Sequence, residues 1–278
     1  EQGELENTII VVTADNGMPF PSAKANLQEY GTHVPLAICW PSKMKGNRVV
    51  EDLVALIDIA PTFLELARVE EVPEMTGKSL SKLLIPNSDI KPKTHREFVL
   101  TGRERHTHAR PDNMGYPARA IRTQDYLYVR NFKPDLWPAE PISTKNQLPT
   151  KGFKSLIPGF HDVDDSPSKL FLMEQQTEYP TQYNLAYDKR PSEQLYDIKK
   201  DPSCVNNIAL DPEYEVIRKD LKAKLDTELK RQGDPRVLGY GDIFDSYPRI
   251  STMREFDGFH ERGEYNPAYM QKGQVKIK

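Results

Sequence analysis

The chain has 278 residues, 37% of them hydrophobic and 28% charged, with 38 basic and 41 acidic side chains for a formal net charge of −3. That length suits one large domain or two smaller ones, and 13 Tyr, 10 Phe and 2 Trp supply enough core material to exclude a disordered chain. The near-balanced charge excludes a chain drawn to nucleic acid by a basic excess; the longest aliphatic run, Ile9-Ile10-Val11-Val12, is too short for a membrane span; and two cysteines exclude a disulfide scaffold or a Cys-rich zinc module.

The sequence opens at Glu1-Gln2-Gly3, without Met and one element ahead of a candidate core strand. The expectation is a piece of a longer polypeptide, so the lack of a targeting segment says nothing about compartment. Residues 8–13 (Thr-Ile-Ile-Val-Val-Thr) are β-branched without alternation, the pattern of a strand buried on both faces in a parallel sheet. Residues 34–40 form a second strand of that kind, with Pro35 at its start, where no ladder donor is needed. A polar, Pro-containing loop from Asp15 to His33 joins them. Leu53, Leu56, Ile57, Ala60, Phe63, Leu64 and Ala67 have helical spacing, and Pro61 predicts a helix that begins near Asp58, with 53–57 as a short strand or turn leading in. Residues 86–94 read as a surface linker.

Beyond it the pattern becomes antiparallel. Residues 98–101, 118–123 and 126–132 predict short strands, the last two forming a hairpin around Gln124-Asp125. Residues 133–192 are Pro-rich with weak periodicity and read as irregular excursions, and 195–197 as a short strand or turn. Asp211-Pro212 gives a helix start and Gly233 a stop, with Ile217, Leu221, Leu225 and Leu229 between them, so a helix is expected over about 212–232. The tail from Asp234 is aromatic and charged, and ordered only if it wraps something. The organisation expected is the end of an α/β domain over 1–90, then a smaller α+β domain over 91–278.

Asp15-Asn16-Gly17 follows the first strand, at the sheet edge where α/β proteins place ligands. Its oxygens suit Ca²⁺ or Mg²⁺; a plain turn is the competing reading. Lys24 lies nine residues on from Asp15, in a loop stiffened by Pro19 and Pro21, where an ammonium could stabilise an oxyanion or simply be solvated.

The run from Asp15 to Leu27 and the following Glu29-Tyr30-Gly31-Thr32-His33-Val34-Pro35-Leu36 resemble the C-terminal metal-site segment of the arylsulfatase-type sulfatases, closest to the heparan N-sulfatase and bacterial polysaccharide sulfatase branch. Residues 56–67, Gly77-Lys78-Ser79-Leu80, Glu193-Gln194-Leu195-Tyr196-Asp197, Asp201-Pro202 and Asn206-Asn207 follow the family's order. The resemblance implies an α/β, alkaline-phosphatase-like fold: here the end of a large mixed sheet with flanking helices, plus a smaller α+β C-terminal subdomain with an antiparallel sheet. It implies a sulfuric ester hydrolase acting on sulfate esters or sulfamates of a sulfated glycan such as a glycosaminoglycan. Asp15 and Asn16 would be two ligands of one Ca²⁺, and Lys24 the catalytic contact to the sulfate. Asn16, where the two-zinc phosphatases carry His, favours sulfate over phosphate.

The family's formylglycine nucleophile and the remaining metal ligands are expected in the N-terminal part of the same protein, outside this chain, which alone would be inactive. Cys39-Trp40-Pro41-Ser42-Lys43 nearly matches the Cys-x-Pro-Ser-Arg modification motif, but it ends in Lys and lies downstream of Asp15. It reads as a decoy, with Cys39 a small hydrophobe in a buried strand.

Gly102-Arg103-Glu104-Arg105-His106-Thr107-His108-Ala109-Arg110 is dense in cations. On composition it is an exposed loop; in the resembled sulfatases this region faces the cleft, which makes Arg105, His106, His108 and Arg103 candidate substrate contacts. His33, just before the second strand, is either a further substrate contact or a strand cap. His95, His161 and His260 have no partner pattern. The family implies a periplasmic, extracellular or lysosomal setting. The competing readings are a non-catalytic polysaccharide-binding or pseudoenzyme fragment and a related phosphodiesterase. Nothing in the sequence sets an oligomeric state.

Overall fold

A computed structural model describes residues 3–70, 72–85, 95–106, 115–139, 151–152, 157, 159–246 and 254–255. In chain order its elements are β1 (Ile10–Thr13), α1 (Glu29–Thr32), β2 (Leu36–Cys39), α2 (Ile59–Leu66), α3 (Ser81–Leu84), β3 (Phe98–Arg103), β4 (Ala118–Thr123), β5 (Tyr126–Asn131), β6 (Lys151–Gly152), α4 (Pro167–Glu174), α5 (Pro180–Tyr187), β7 (Glu193–Asp197), α6 (Glu215–Arg231), α7 (Pro235–Leu238) and β8 (Arg254–Glu255). They fall into two compact units. One comprises Glu1–Asp15, Val34–Val99 and Arg122–Asp125; the other comprises Asn16–His33, Leu100–Ile121 and Tyr126–Lys278. The expected linker, 86–94, lies outside the described residues.

In the first unit β1 pairs with β2, Ile10 opposite Cys39 and Thr13 opposite Leu36. The pairing is antiparallel, which corrects the expectation of a parallel sheet. Within the described residues this is a two-stranded ribbon with part of its apolar surface uncovered: Ile10 is 40% and Val12 62% exposed, whereas Ile38 packs on Leu80, Leu83 and Leu84. Unbroken β-branched runs report strand and apolarity, not direction. Cys39 ends β2 and is exposed, contrary to the buried position expected.

A 3₁₀ turn over Leu56–Asp58, rather than a strand, leads into α2. The side of α2 that faces inward is not its aliphatic stripe. Leu56, Ile57 and Phe63 are exposed, whereas Asp58, Pro61 and Thr62 are buried. Asp58 organises this centre. Its carboxylate accepts from the Ala55 N–H at 2.9 Å, the Lys78 N–H at 2.7 Å and two nitrogens of Arg96, with His95 Nε2 at 3.4 Å. The Thr62 hydroxyl accepts from the Leu80 N–H at 2.8 Å. Gly77 is required beside it, because a Cβ there would stand 2.1 Å from the Ile57 carbonyl oxygen.

The second unit is built on a four-stranded sheet of order β3-β4-β5-β7, with β5 and β7 antiparallel. Two residues connect β4 to β5 as expected. Leu27, Ala118, Ala120, Leu127, Val129, Tyr196 and Ile198 form its core. Helix α6 buries Leu221, Leu225 and Leu229 and stops before Gly233, at φ +74°. Glu193, at the head of β7, receives Arg218 and Lys222 from α6. Asn207 accepts from the Leu195 N–H at 2.9 Å.

Residues 133–192 are not wholly irregular: α4 and α5 lie within them, each opening with Pro at its first position. Phe160 stacks on Tyr187 at 4.1 Å in a second core cluster with Ala139 and Ala186. The described part of the tail, Asp234 to Ser246, is held by ion pairs: Arg119 Nε to Asp234 at 2.6 Å, Arg236 to Glu104 at 2.7 Å and Lys133 to Asp245 at 3.0 Å.

Burial pushes the Asp58 carboxyl up, but Arg96 and the Lys78 and Ala55 N–H groups outweigh it and hold it below the usual carboxylate range. A carboxyl lowered on folding stabilises the fold above its unfolded value, near 3.8, and that contribution is lost as pH falls through the folded value. Asp58→Asn should therefore cost about 3 kcal/mol at pH 7, because Arg96 loses its buried counter-charge. It should also flatten the acid limb of stability; urea unfolding at pH 7 and pH 3 checks both.

Candidate active site

Each candidate residue is placed by its own stretch of backbone. Asp15 follows β1, is exposed, and makes no hydrogen bond or ion pair among the described residues. Asn16 Nδ2 donates to the Gly17 carbonyl at 2.9 Å, which leaves its Oδ1 without a hydrogen bond among the described residues. The Gly17 N–H donates to the Gly31 carbonyl at 3.1 Å. This close approach explains the glycine: a Cβ on Gly17 would lie 2.0 Å from the Tyr30 carbonyl oxygen.

Lys24 sits between Ser22 and Ala25, both at positive φ (63° and 62°). Each such residue costs about 1 kcal/mol and persists only where its surroundings enforce it. The Lys24 N–H donates to Met18 O at 3.0 Å, and Ser22 Oγ donates to Leu185 O at 3.1 Å. The backbone under Lys24 is thus fixed, and its Nζ lies 2.6 Å from Asp164 Oδ2.

Arg103, at the end of β3, is buried. It pairs with Asp162 and donates to the Pro138 carbonyl at 3.0 Å, so its guanidinium is spent inside the protein rather than offered to a ligand. His106 Nδ1 lies 3.0 Å from the Asp162 carbonyl oxygen and 3.4 Å from its Oδ1. Arg105 has Nη2 3.8 Å from Asp245 Oδ1; burial pulls its guanidinium down, against the pull of Asp245 and Glu104. His33 caps α1 with Nδ1 3.1 Å from Glu29 Oε2, its ring largely exposed. His108 and His260 lie outside the described residues.

Lys24, Arg103 and His106 are therefore brought to a single loop, residues 160–165, which supplies Asp162 and Asp164. Reading the sequence missed both carboxylates. The available signal was the acidic run His161-Asp162-Val163-Asp164-Asp165 just before the Ser166-Pro167 helix start.

Residues 23–139 match the family described as N-sulphoglucosamine sulphohydrolase, C-terminal. An ulvan-active sulfatase of Formosa agariphila is 27% identical over 87% of this chain and 36% of its own length. The human N-sulphoglucosamine sulphohydrolase is 27% identical over 81% of this chain and 42% of its own. A solved structure described as a complex with its substrate D-glucosamine-2-N,6-O-disulfate superposes with TM-score 0.52 at 24% identity, over 84% of this chain and 37% of that one, and shares the fold. Over these residues the chain resembles the C-terminal part of the sulfatases. Its fold is the α/β, alkaline-phosphatase-like one of the solved sulfatases. It spans 36–42% of the length of these relatives.

Sulfatases as a family imply Ca²⁺ and formylglycine. The donors here fit Ca²⁺ in kind: Asp15 and Asn16 offer hard oxygens without competing partners. They are two of the six to eight that the ion takes. Among the described residues no cluster of three or more His, Cys, Asp or Glu could hold a metal. The Cys39 segment, by contrast, is a structural tie. Trp40 Nε1 donates to the Glu6 carbonyl at 3.2 Å, and Ser42 Oγ donates to the same oxygen. Cys39→Ser in the native polypeptide should leave any activity within about twofold of wild type, since an exposed, unpaired thiol adds little to stability; complete loss of activity would make Cys39 a participant.

Proposed function

We propose that this chain forms the sulfate-facing and sugar-facing C-terminal part of a sulfatase that hydrolyses sulfate esters or sulfamates of a sulfated glycan. In this reading residues 1–90 complete the catalytic domain and 91–278 form the subdomain over the sugar. The observation that carries it is that the family-matched span includes Lys24, Arg103 and His106, and one loop holds all three.

Lys24 is the catalytic contact: an ammonium against a sulfate oxygen or the leaving atom offsets negative charge as it develops. Asp15 and Asn16 would hold Ca²⁺, which when bound supplies Lewis-acid neutralisation of the sulfate oxygens. His106, His108, Arg105 and His33 contact the sugar or its charged groups, and Arg103 acts from behind them through Asp162. The formylglycine nucleophile is supplied by the N-terminal part of the same polypeptide. Asn16 speaks against the phosphodiesterase reading, since an amide replaces imidazole poorly at zinc. The enzyme meets its glycan outside the cytosol, in the periplasm, the lysosome or the extracellular space.

The native polypeptide, with Ca²⁺, should release sulfate from glucosamine N-sulfate, glucosamine 6-sulfate or ulvan oligosaccharides, read by ion chromatography. The isolated 278-residue chain should turn over neither these nor an aryl sulfate. Sulfate release by the isolated chain would show that the catalytic set is wrongly assigned. Retention of sulfated polysaccharide without any release by the native polypeptide would replace this reading with the binding-module one.

A further inference from the structure

Asp162 and Asp164 lie two residues apart in one loop, and each grips a different member of the site. We propose that they are positioning residues, Asp162 for His106 and Asp164 for Lys24; the proposal rests on the sulfatase reading above.

The loop is built to hold still. Phe160 enters it at φ +47° and is stacked on Tyr187. The Val163 N–H closes a turn onto the Phe160 carbonyl at 2.9 Å. The fully buried Lys169 sends its ammonium back to the Val163 carbonyl and to Asp165 Oδ1, each at 3.1 Å. Ser166 Oγ caps the following helix by accepting from the Lys169 N–H.

The two grips differ in kind. The Asp162 and Arg103 side chains are 1% and 7% exposed, so this pair fixes the loop to the end of β3. His106 Nδ1 faces two acceptors, the Asp162 carbonyl and carboxylate. It must therefore carry the hydrogen, and Nε2 is the atom left for substrate. Among the described residues Nε2 makes no hydrogen bond. It accepts from a sugar hydroxyl when the ring is neutral and donates to a sulfate or carboxylate when the ring is charged.

The Lys24–Asp164 pair is 29% and 30% exposed, and pairs that open to solvent contribute little to stability. Its effect is orientational. A lysine stem has four rotatable bonds, and a tether at its tip fixes where the ammonium stands before sulfate arrives.

In the native polypeptide, Asp164→Asn and Asp162→Asn should each lower kcat by about 10- to 100-fold, the range expected for a displaced catalytic contact. On a Lys24→Ala background Asp164→Asn should cost nothing further; losses that simply multiply overturn the proposal. A second readout needs no turnover. Nitrogen NMR should show His106 as a single Nδ1–H tautomer in wild type and as a mixture in Asp162→Asn, where loss of the Arg103 pair frees the loop and withdraws the Asp162 carbonyl from Nδ1. If wild type releases no sulfate but His106 responds this way, the sulfatase reading fails and the positioning role stands. A tautomer indifferent to Asp162→Asn overturns the Asp162 assignment whatever the activity. Where Asp162→Asn does not fold, Asp164→Asn, at the exposed pair, carries the kinetic test.

Discussion

The ion pair between Arg103 and Asp162 joins the end of a strand to a loop 59 residues further along the chain. Both partners are almost wholly withdrawn from water, so neither charge can be released cheaply. Removing either leaves the other in a low-dielectric interior, which costs several kcal/mol. That constraint decides where the loop lies. The loop in turn decides where Lys24 and His106 stand, since both are tethered to it. The chemistry proposed for the surface thus depends on a pair that never meets the substrate.

Much of the fold was legible where local rules act alone. The α6 helix follows from leucines every four residues, a Pro opening the 3₁₀ turn Pro212–Tyr214 that leads into it and a Gly past its end; the β4–β5 hairpin follows from alternation around a two-residue turn. The direction of the β1–β2 pairing was not legible, because a run such as Ile-Ile-Val-Val carries no information about its neighbour. Helices α4 and α5 escaped because their apolar residues do not form a stripe and serve an aromatic cluster instead. At the site, Lys24, Arg103 and His106 were readable as residue types. Their gathering was not, because carboxylates distant in sequence perform it, and a short acidic run looks like any solvated loop.

The motifs behind the family resemblance divide by role. Asp58, Gly77, Glu193 and Asn207 take no part in the chemistry proposed here, and each satisfies a structural demand. Asp58 takes two backbone N–H groups and a guanidinium; Gly77 permits a carbonyl at close range; Glu193 collects two cations from α6; Asn207 stitches β7 to the segment after it. A sequence can keep such motifs because they hold the scaffold, so they report ancestry and fold. The loop around Asp15, Asn16 and Lys24 differs: it holds two left-handed residues beside Lys24 and, among the described residues, leaves the Asp15 carboxylate without a partner.

The β1–β2 ribbon has a consequence for handling the chain. Among the described residues its two strands present unpaired backbone edges and exposed Ile10 and Val12, Val12 the more open. Such an edge is a template for strand addition by any chain with free backbone groups, including another copy of itself. Concentration therefore acts on this polypeptide as a slow poison: crowding drives sheet growth from the ribbon outward, and a charged residue in place of Val12 would act as a gatekeeper against it.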